Sequence, residues 1–229
     1  KPGYPSQEQA VKDFEGLIER IHAAATWPAP GTFTIPKAPA PPVIDGKLDE
    51  EAWTRAAVWT ETYPFNATSA GGPATTWRMT WDDACLYVAF ECVDSNVVAA
   101  ACERDGHVYN DDCVEMFILP EFRFRAYWEI VIAPNGSVFD SVQCKDIDKW
   151  GSSMDVSQHL SGMKHAQRVN GTLNAPDDTD QGYTVEVAVP FAELPGYSRG
   201  KPEAGQRLHV MLVRLDRGRD GLKPYAFRP

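Results

Sequence analysis

The chain has 229 residues, of which 43% are hydrophobic and 11% aromatic, so it can bury a core and does not have the composition of a disordered chain. Lys and Arg number 22 against 32 Asp and Glu, and the resulting net charge of −10 argues against nucleic acid or an anionic membrane surface as the main partner. No run approaches the roughly 18 apolar residues of a spanning helix, so no membrane insertion is predicted.

An amphipathic helix is predicted at the N-terminus, in residues 1–26. Ser6 and Gln9 stand in capping-box positions, and apolar residues then recur at helical spacing on one face: Val11, Phe14, Leu17, Ile18 and Ile21. Residues 27–42, WPAPGTFTIPKAPAPP, form a proline-rich linker. Proline removes backbone donors and fixes φ, so we expect this linker to be an extended tether.

Short runs with strand character occupy residues 43–229. Seven are clear, at 76–81, 85–92, 113–119, 127–133, 138–143, 183–190 and 208–215. Turn-forming residues separate several of them, for example Asn135-Gly136 and Asn170-Gly171. Because no helical segment lies between these runs, the sequence predicts a mainly β fold, an antiparallel β-sandwich of the jelly-roll or immunoglobulin-like two-sheet type with an N-terminal helical extension.

Residues with catalytic or metal-binding chemistry do not form a familiar pattern. There is no P-loop, dinucleotide-binding glycine fingerprint or H-E-x-x-H helix, and we predict that the chain is not an enzyme. In NAPDDTDQG (174–182), Asp177, Asp178 and Asp180 offer hard oxygen ligands, with Ca²⁺ as the candidate ion. The alternative is a plain polar hairpin loop. His159 and His165 are a weaker metal signal, and no other cofactor is predicted.

Four segments carry a resemblance to a known family. They are PPVIDGKLDEEAWTRA (41–56), WDDACLYVAFECVD (81–94), ERDGHVYNDDCVEMFILP (103–120) and NGTLNAPDDTDQGYTVEVAVPFAEL (170–194). Together they resemble the family 9 carbohydrate-binding modules of the DOMON-like β-sandwich superfamily, over roughly residues 41–228. The resemblance implies a β-sandwich that binds carbohydrate without catalysis, with the sugar ring stacked between aromatic side chains.

The same resemblance implies a set of sugar-binding residues. Tyr109 and Phe227 match the two clamp aromatics, which are Trp in well-studied family members, and Trp150 is a third candidate aromatic. Glu115 and Glu129 match the polar positions that accept hydrogen bonds from sugar hydroxyls. Aromatic rings suit the apolar C–H face of a pyranose, and acids suit its hydroxyl edge.

Partners and location follow from the resemblance. It implies a polysaccharide or oligosaccharide ligand, other domains of a larger secreted protein, and a secreted or periplasmic location. The chain begins at Lys1 without a signal peptide, which indicates processing or an internal start.

Three other functions remain open. One is a haem-binding electron-transfer sandwich with axial ligands drawn from Met116, Met154, Met163, His159, His165 and Lys164. Another is a scaffold domain that has lost the sugar site. An enzyme that uses paired carboxylates is the third.

Overall fold

The computed structural model describes residues 31–64, 69–100, 103–120, 126–145, 152–194, 201–218 and 221–227. The chain divides into two compact units, and the larger one, Thr34–Arg228, contains every strand described below. The helix predicted within residues 1–26 and the aromatic residue Trp150 lie outside the described residues. In the described ranges, no helix combines the length and apolar composition needed to cross a bilayer.

The described elements are almost all strands. In chain order they are a short helix α1 (Glu51–Thr54), then β1 (Ala57–Trp59), β2 (Thr62–Pro64), β3 (Thr75–Trp81), β4 (Cys85–Val93), β5 (Cys113–Leu119), β6 (Ala126–Ile132), β7 (Val138–Lys145), β8 (Ser152–Asp155), β9 (Lys164–Asn170), β10 (Gly182–Pro190), β11 (His209–Gly218) and β12 (Gly221–Phe227). Two single 3₁₀ turns, Val108–Asn110 and Phe191–Glu193, complete the set.

The strands form two antiparallel sheets. Sheet 1 has the order β1-β3-β4-β10-β9, and sheet 2 has the order β2-β12-β11-β5-β6-β7-β8. The predicted mainly β, two-sheet fold is therefore confirmed. All seven predicted strands are present within three residues of their expected bounds, and β1, β2, β8, β9 and β12 were not predicted.

The core lies between the two sheets. Trp77 of β3 is fully buried, and its ring packs against Phe90 of β4 at a centroid distance of 5.4 Å. From sheet 2, Met116, Ile130 and Leu212 are also fully buried. A sandwich of this kind is stabilised mainly by removing such alternate side chains from water on the facing surfaces.

The linker predicted over residues 27–42 is described from residue 31, and its second half is docked on β3. Lys37 forms a single parallel bridge with Trp81, the Trp81 indole Nε1 donates to the Ile35 carbonyl at 2.9 Å, and the Thr80 hydroxyl donates to the Pro36 carbonyl at 2.9 Å. The segment is extended, as proline requires, but these contacts anchor it to sheet 1.

The IDGKLDEEAW block is anchored by one buried acid of β10. Glu186 accepts hydrogen bonds from the backbone N–H groups of Asp45 at 2.9 Å and Gly46 at 2.5 Å, and from the Trp53 indole at 2.7 Å. Gly46 has φ of +86°, a conformation that favours glycine at this turn. These bonds place the Trp53 side chain in the interior, at 1% exposure.

Candidate functional site

Sheet 2 has an inner face against sheet 1 and an outer face turned away from it. Phe227 of β12 contacts Trp77 of sheet 1, so Phe227 lies on the inner face and its neighbour Ala226 on the outer face. Ala226 pairs with Val213, and Val213 pairs with Glu115. Residues paired across adjacent strands share a face, so Glu115 also lies on the outer face.

Part of this outer face is covered by loops. Apolar residues near one end of the strands, including Cys113, Val131 and Phe139, form a cluster with Ala99 and Val108 from the connection between β4 and β5. The outer face continues past this cluster along β5, β6 and β7. We call the following six residues the acidic patch: Glu115, Phe117, Tyr127, Glu129, Ser141 and Gln143.

Glu115 is the central acid of the patch. Its side chain is 8% exposed, and it has no hydrogen bond or ion pair with any described residue. Burial, followed by the nearby Glu129 carboxylate, raises the pKa of Glu115 to about 7. The Glu115 oxygens are not among the fully buried side-chain oxygens that lack a partner, so they keep some contact with solvent. A largely buried acid without a protein donor is a position where a bound group that donates hydrogen bonds would be favourable.

Glu129 lies diagonally from Glu115 on the adjacent strand, because Glu115 pairs with Val131 and Glu129 pairs with Phe117. Its carboxylate accepts a hydrogen bond from the Gln143 amide at 2.5 Å, and the same amide nitrogen is 3.1 Å from the Ser141 hydroxyl. Burial raises the pKa of Glu129, and the bond from Gln143 opposes that effect. The patch thus offers acceptor oxygens at two neighbouring points.

Aromatic rings border these acids. Phe117 and Tyr127 are both partly buried, and their ring centroids are 6.1 Å apart at an interplanar angle of 58°. Phe117 stands two residues from Glu115 on β5, and Tyr127 stands two residues from Glu129 on β6, so both rings share the outer face.

Tyr109 lies at the boundary between the covered cluster and the patch. Its ring packs edge-on against Phe139 at a centroid distance of 5.7 Å, and its hydroxyl is 2.6 Å from His107 Nδ1. Phe139 pairs with Val131, which pairs with Glu115, so one row across three strands links the Tyr109 platform to Glu115. Phe139 and Val131 in this row are buried beneath the covering loops, so the row is a packed connection and not an open groove.

The structure corrects the expectation for Phe227. Its side chain is 4% exposed and packs against Trp59 at 5.1 Å and Trp77 at 6.1 Å between the sheets. It therefore lies on the opposite face of sheet 2 from Glu115 and cannot form a clamp with Tyr109. The cause is strand alternation, because every second residue of β12 faces the core and Phe227 is one of them.

The three aspartates of the predicted calcium loop are not brought together. Asp177 and Asp178 are exposed, whereas Asp180 is 6% exposed. The Asp180 carboxylate accepts from the backbone N–H groups of Thr172 and Val97, both at 2.7 Å. Its oxygens thus hold the β9–β10 hairpin against the β4–β5 connection, and the three aspartates are not among the groups of described Asp, Glu, His and Cys side chains whose ligand atoms converge. Calcium binding by this loop stays a prediction.

Two other groups of potential metal ligands occur among the described residues. In the first, Asp105, Asp140 and His159 converge, but Arg104 already pairs with Asp140. The second consists of Asp94, Asp112 and Asp216 beside a cavity of about 440 Å³. There the buried Arg214 guanidinium donates to Asp94 at 2.8 Å and to Asp216 at 2.7 Å. A cation is therefore supplied by the chain in both groups.

The candidate haem ligands lie in different parts of the fold. Met116 is fully buried between the sheets, whereas Met154 is 55% exposed on β8. His165 lies on β9, with its Nδ1 at 2.7 Å from the Gln167 amide. His159 instead faces Asp140, at 3.5 Å.

Sequence analysis identified Glu115 and Glu129 of the patch and Tyr109 at its border but missed the other four members of the patch. Phe117, Tyr127, Ser141 and Gln143 were passed over although each lies on a predicted strand. The period of two was the available signal, because Phe117 is two residues from Glu115 and Tyr127 is two residues from Glu129. Gln143 could be found only through the pairing of β6 with β7.

Known proteins similar to this chain share its fold and its motifs. Solved structures with a similar fold include a carbohydrate binding module family 9 from Caldicellulosiruptor kristjanssonii in complex with cellotriose, at TM-score 0.54 and 20% identity over 84% of this chain and 81% of that one. The same module in complex with glucose gives TM-score 0.54 and 19% identity, with 84% of each chain covered. At these identities the likeness establishes the fold.

Curated relatives match by sequence. Exoglucanase XynX of Acetivibrio thermocellus is 29% identical over 154 residues, which are 67% of this chain and 12% of that protein. Endo-1,4-beta-xylanase A of Thermoanaerobacterium saccharolyticum is 27% identical over 157 residues, 67% of this chain and 11% of that protein. The chain thus spans only a small part of the length of these relatives.

A family model covers most of the sandwich. The model for the carbohydrate family 9 binding domain-like family matches residues 44–224, from the IDGKLDE block anchored to β10 of sheet 1 to β12 of sheet 2. With the two-sheet fold and the matching motifs, this match shows that the chain belongs to the carbohydrate family 9 binding domain-like family.

Proposed function

We propose that this domain binds carbohydrate without catalysis and that the acidic patch, with Tyr109 at its border, is the binding surface. The observation that carries the proposal is the Glu115 carboxylate, 8% exposed and without a donor among the described residues, on an outer sheet face that also presents aromatic rings. Family membership supports it, since related modules have been solved with cellotriose and glucose.

The chemistry of the patch matches a sugar ring. Phe117, Tyr127 and Tyr109 offer ring faces and edges to the C–H surface of a pyranose. Glu115 and Glu129 accept hydrogen bonds from hydroxyl groups, and hydrogen bonds to a charged group stabilise by about 1.5–3 kcal/mol each. A bound sugar would supply the donors that Glu115 lacks.

Calorimetric titration with cello- and xylo-oligosaccharides tests the proposal. We expect measurable binding, and Tyr109→Ala should weaken it by about 1–3 kcal/mol because a stacking ring is lost. Phe227→Leu is the matched control, because it shortens an aromatic side chain on the opposite face of the same sheet. Absence of binding to any glycan in a broad panel, or equal losses for both variants, would refute the site.

A second candidate function is acid-catalysed glycoside hydrolysis. One observation favours it, namely two carboxylates on adjacent strands, with the pKa of Glu115 raised to about 7 as a general acid requires. If the wild type releases reducing sugar and Glu115→Gln does not, the domain is a glycoside hydrolase and the proposal of non-catalytic binding is wrong. The sequence also contains a G-x-S-x-G string at 196–200. Residues 201–208, which follow it, are not helical, whereas a helix follows the serine of a nucleophile elbow.

We further propose that the domain acts as one part of a longer exported protein that degrades polysaccharide. The support is the size of the curated relatives, in which the matched segment is 12% and 11% of the chain. A binding domain that holds a glycan raises the effective concentration of that glycan near an attached enzyme. Fractionating cells of the source organism and detecting the protein outside the cytoplasm would test this location.

A further inference from the structure

Glu115 differs from every other deeply buried acid in the described part of the chain. Five carboxylates there are at most 8% exposed: Asp112, Glu115, Asp140, Asp180 and Glu186. Four of them have donors from the protein. Asp112 and Asp180 each accept two backbone N–H groups, Asp140 accepts from Arg104 and Leu160, and Glu186 accepts three donors. Glu115 has none.

The nearest charge to Glu115 adds to this imbalance. Glu129 stands on the adjacent strand, and among the described residues the hydrogen-bond partner of Glu129 is the neutral amide of Gln143. The two acids therefore repel each other across the patch, and no described cation pairs with either. At the ends of the sandwich, by contrast, Arg214 and Arg104 neutralise the clustered aspartates.

A neutral sugar would supply the missing hydrogen-bond donors but not the missing positive charge. Its hydroxyl groups can donate to both carboxylates, but covering the patch would remove more water from two like charges. A protonated amino group supplies donors and an opposite charge at once, and charge-assisted hydrogen bonds are roughly twice as strong as neutral ones. The bordering rings of Phe117 and Tyr127 would still hold the sugar ring that carries it.

We propose that the acidic patch selects glycans with free amino groups, such as β-1,4-linked glucosamine, over the corresponding neutral glucans. This inference rests on the proposed function, since it names the ligand class of the same surface. Cellulose-type and glucosamine-type chains share one backbone geometry and differ at the C2 substituent. The selectivity therefore comes from the charge of the patch.

Titration calorimetry at about pH 7, where the Glu115 carboxyl is about half ionised in the free protein, compares four tetramers in the presence of EDTA: glucosamine, N-acetylglucosamine, glucose and lysine. An amine bound at the patch is expected to hold its proton beside the two carboxylates. We expect the glucosamine tetramer to bind at least about tenfold more tightly than the glucose tetramer, with an advantage that shrinks as salt rises. Glu129→Gln, a partly exposed position, should reduce this advantage to about threefold or less. The exposed Glu203→Gln is the matched control and should keep it.

Distinct results refute this inference and the proposed function. If the glucose or acetylated tetramer binds as tightly as the glucosamine tetramer, sugar binding stands and the amine preference is wrong. Equal binding of the lysine tetramer overturns the inference as well, because the patch would then recognise cations regardless of a sugar ring. If none of the sugar tetramers binds, the proposed function is refuted too.

Discussion

Replacing Glu115 by glutamine should stabilise the folded protein at alkaline pH and leave it nearly unchanged at acidic pH. The Glu115 side chain is 8% exposed, and its pKa is raised from the ordinary 4.5 to about 7 by burial and then by Glu129. The folded state therefore holds this proton at pH values where the unfolded state has released it. The contribution of Glu115 to the free energy of unfolding falls as pH rises from 4.5 to about 7 and stays low above that.

The size of the effect follows from the same two values. A rise in pKa from 4.5 to about 7 corresponds to about 3 kcal/mol of instability when the group is charged. Glutamine has nearly the shape of glutamic acid and carries no charge at any pH. We therefore expect Glu115→Gln to exceed the wild type by about 2–3 kcal/mol at about pH 8.5 and to match it within about 1 kcal/mol at about pH 5.

Urea unfolding of both proteins at the two pH values measures this difference, with Glu203→Gln as the exposed control. Asp112, whose pKa burial also raises to about 7, contributes equally to wild type and variant and cancels from the comparison. An advantage of the same size at both pH values would refute the reasoning, because it would owe nothing to ionisation. A variant less stable than the wild type at about pH 8.5 would do so as well.

Three further substitutions test the rest of the fold. Phe227→Ala should lower the free energy of unfolding by about 3–5 kcal/mol through loss of core packing. The folded fraction should retain its affinity for sugar. A variant that loses affinity without losing stability would contradict the placement of Phe227 on the inner face. Glu186→Gln should cost about 2–3 kcal/mol in chemical unfolding, because one amide cannot accept from all three of its donors, whereas a change within experimental error would show that these bonds are dispensable. Gly182→Ala should unfold the protein or lower its melting temperature sharply, since the new Cβ would lie 1.9 Å from the Cys92 carbonyl at φ of +130°. Gly205→Ala, also at positive φ but with nothing within 4 Å of the new Cβ, is its control and should cost only about 1–2 kcal/mol.

The strands of the core were predictable because their pattern is local. In YTVEVAVP every second residue is apolar, and the run from 183 to 190 forms β10 almost without change. The strands that were missed have weaker patterns. KHAQRVN of β9 is largely polar because it is an edge strand of sheet 1, and β12 contains Pro224.

The proposed binding surface was predictable only in part. The motif around YNDDCVE located Tyr109 and Glu115, and the structure places both on the outer face of sheet 2. Phe227 was misplaced because KPYAFRP does not reveal which of its residues face the core. That phase is set by the pairing of β12 with β11, between residues far from each other in any sequence motif.

The class of fold and the family could be inferred from local patterns, because alternation and turn residues act over a few positions and the family motifs are contiguous. Which side chains share a surface depends on how distant strands pair. Glu115, Glu129 and Gln143 meet because β5, β6 and β7 are hydrogen-bonded neighbours in one register. A one-residue shift of a strand in that register would turn its side chains from the outer face to the core.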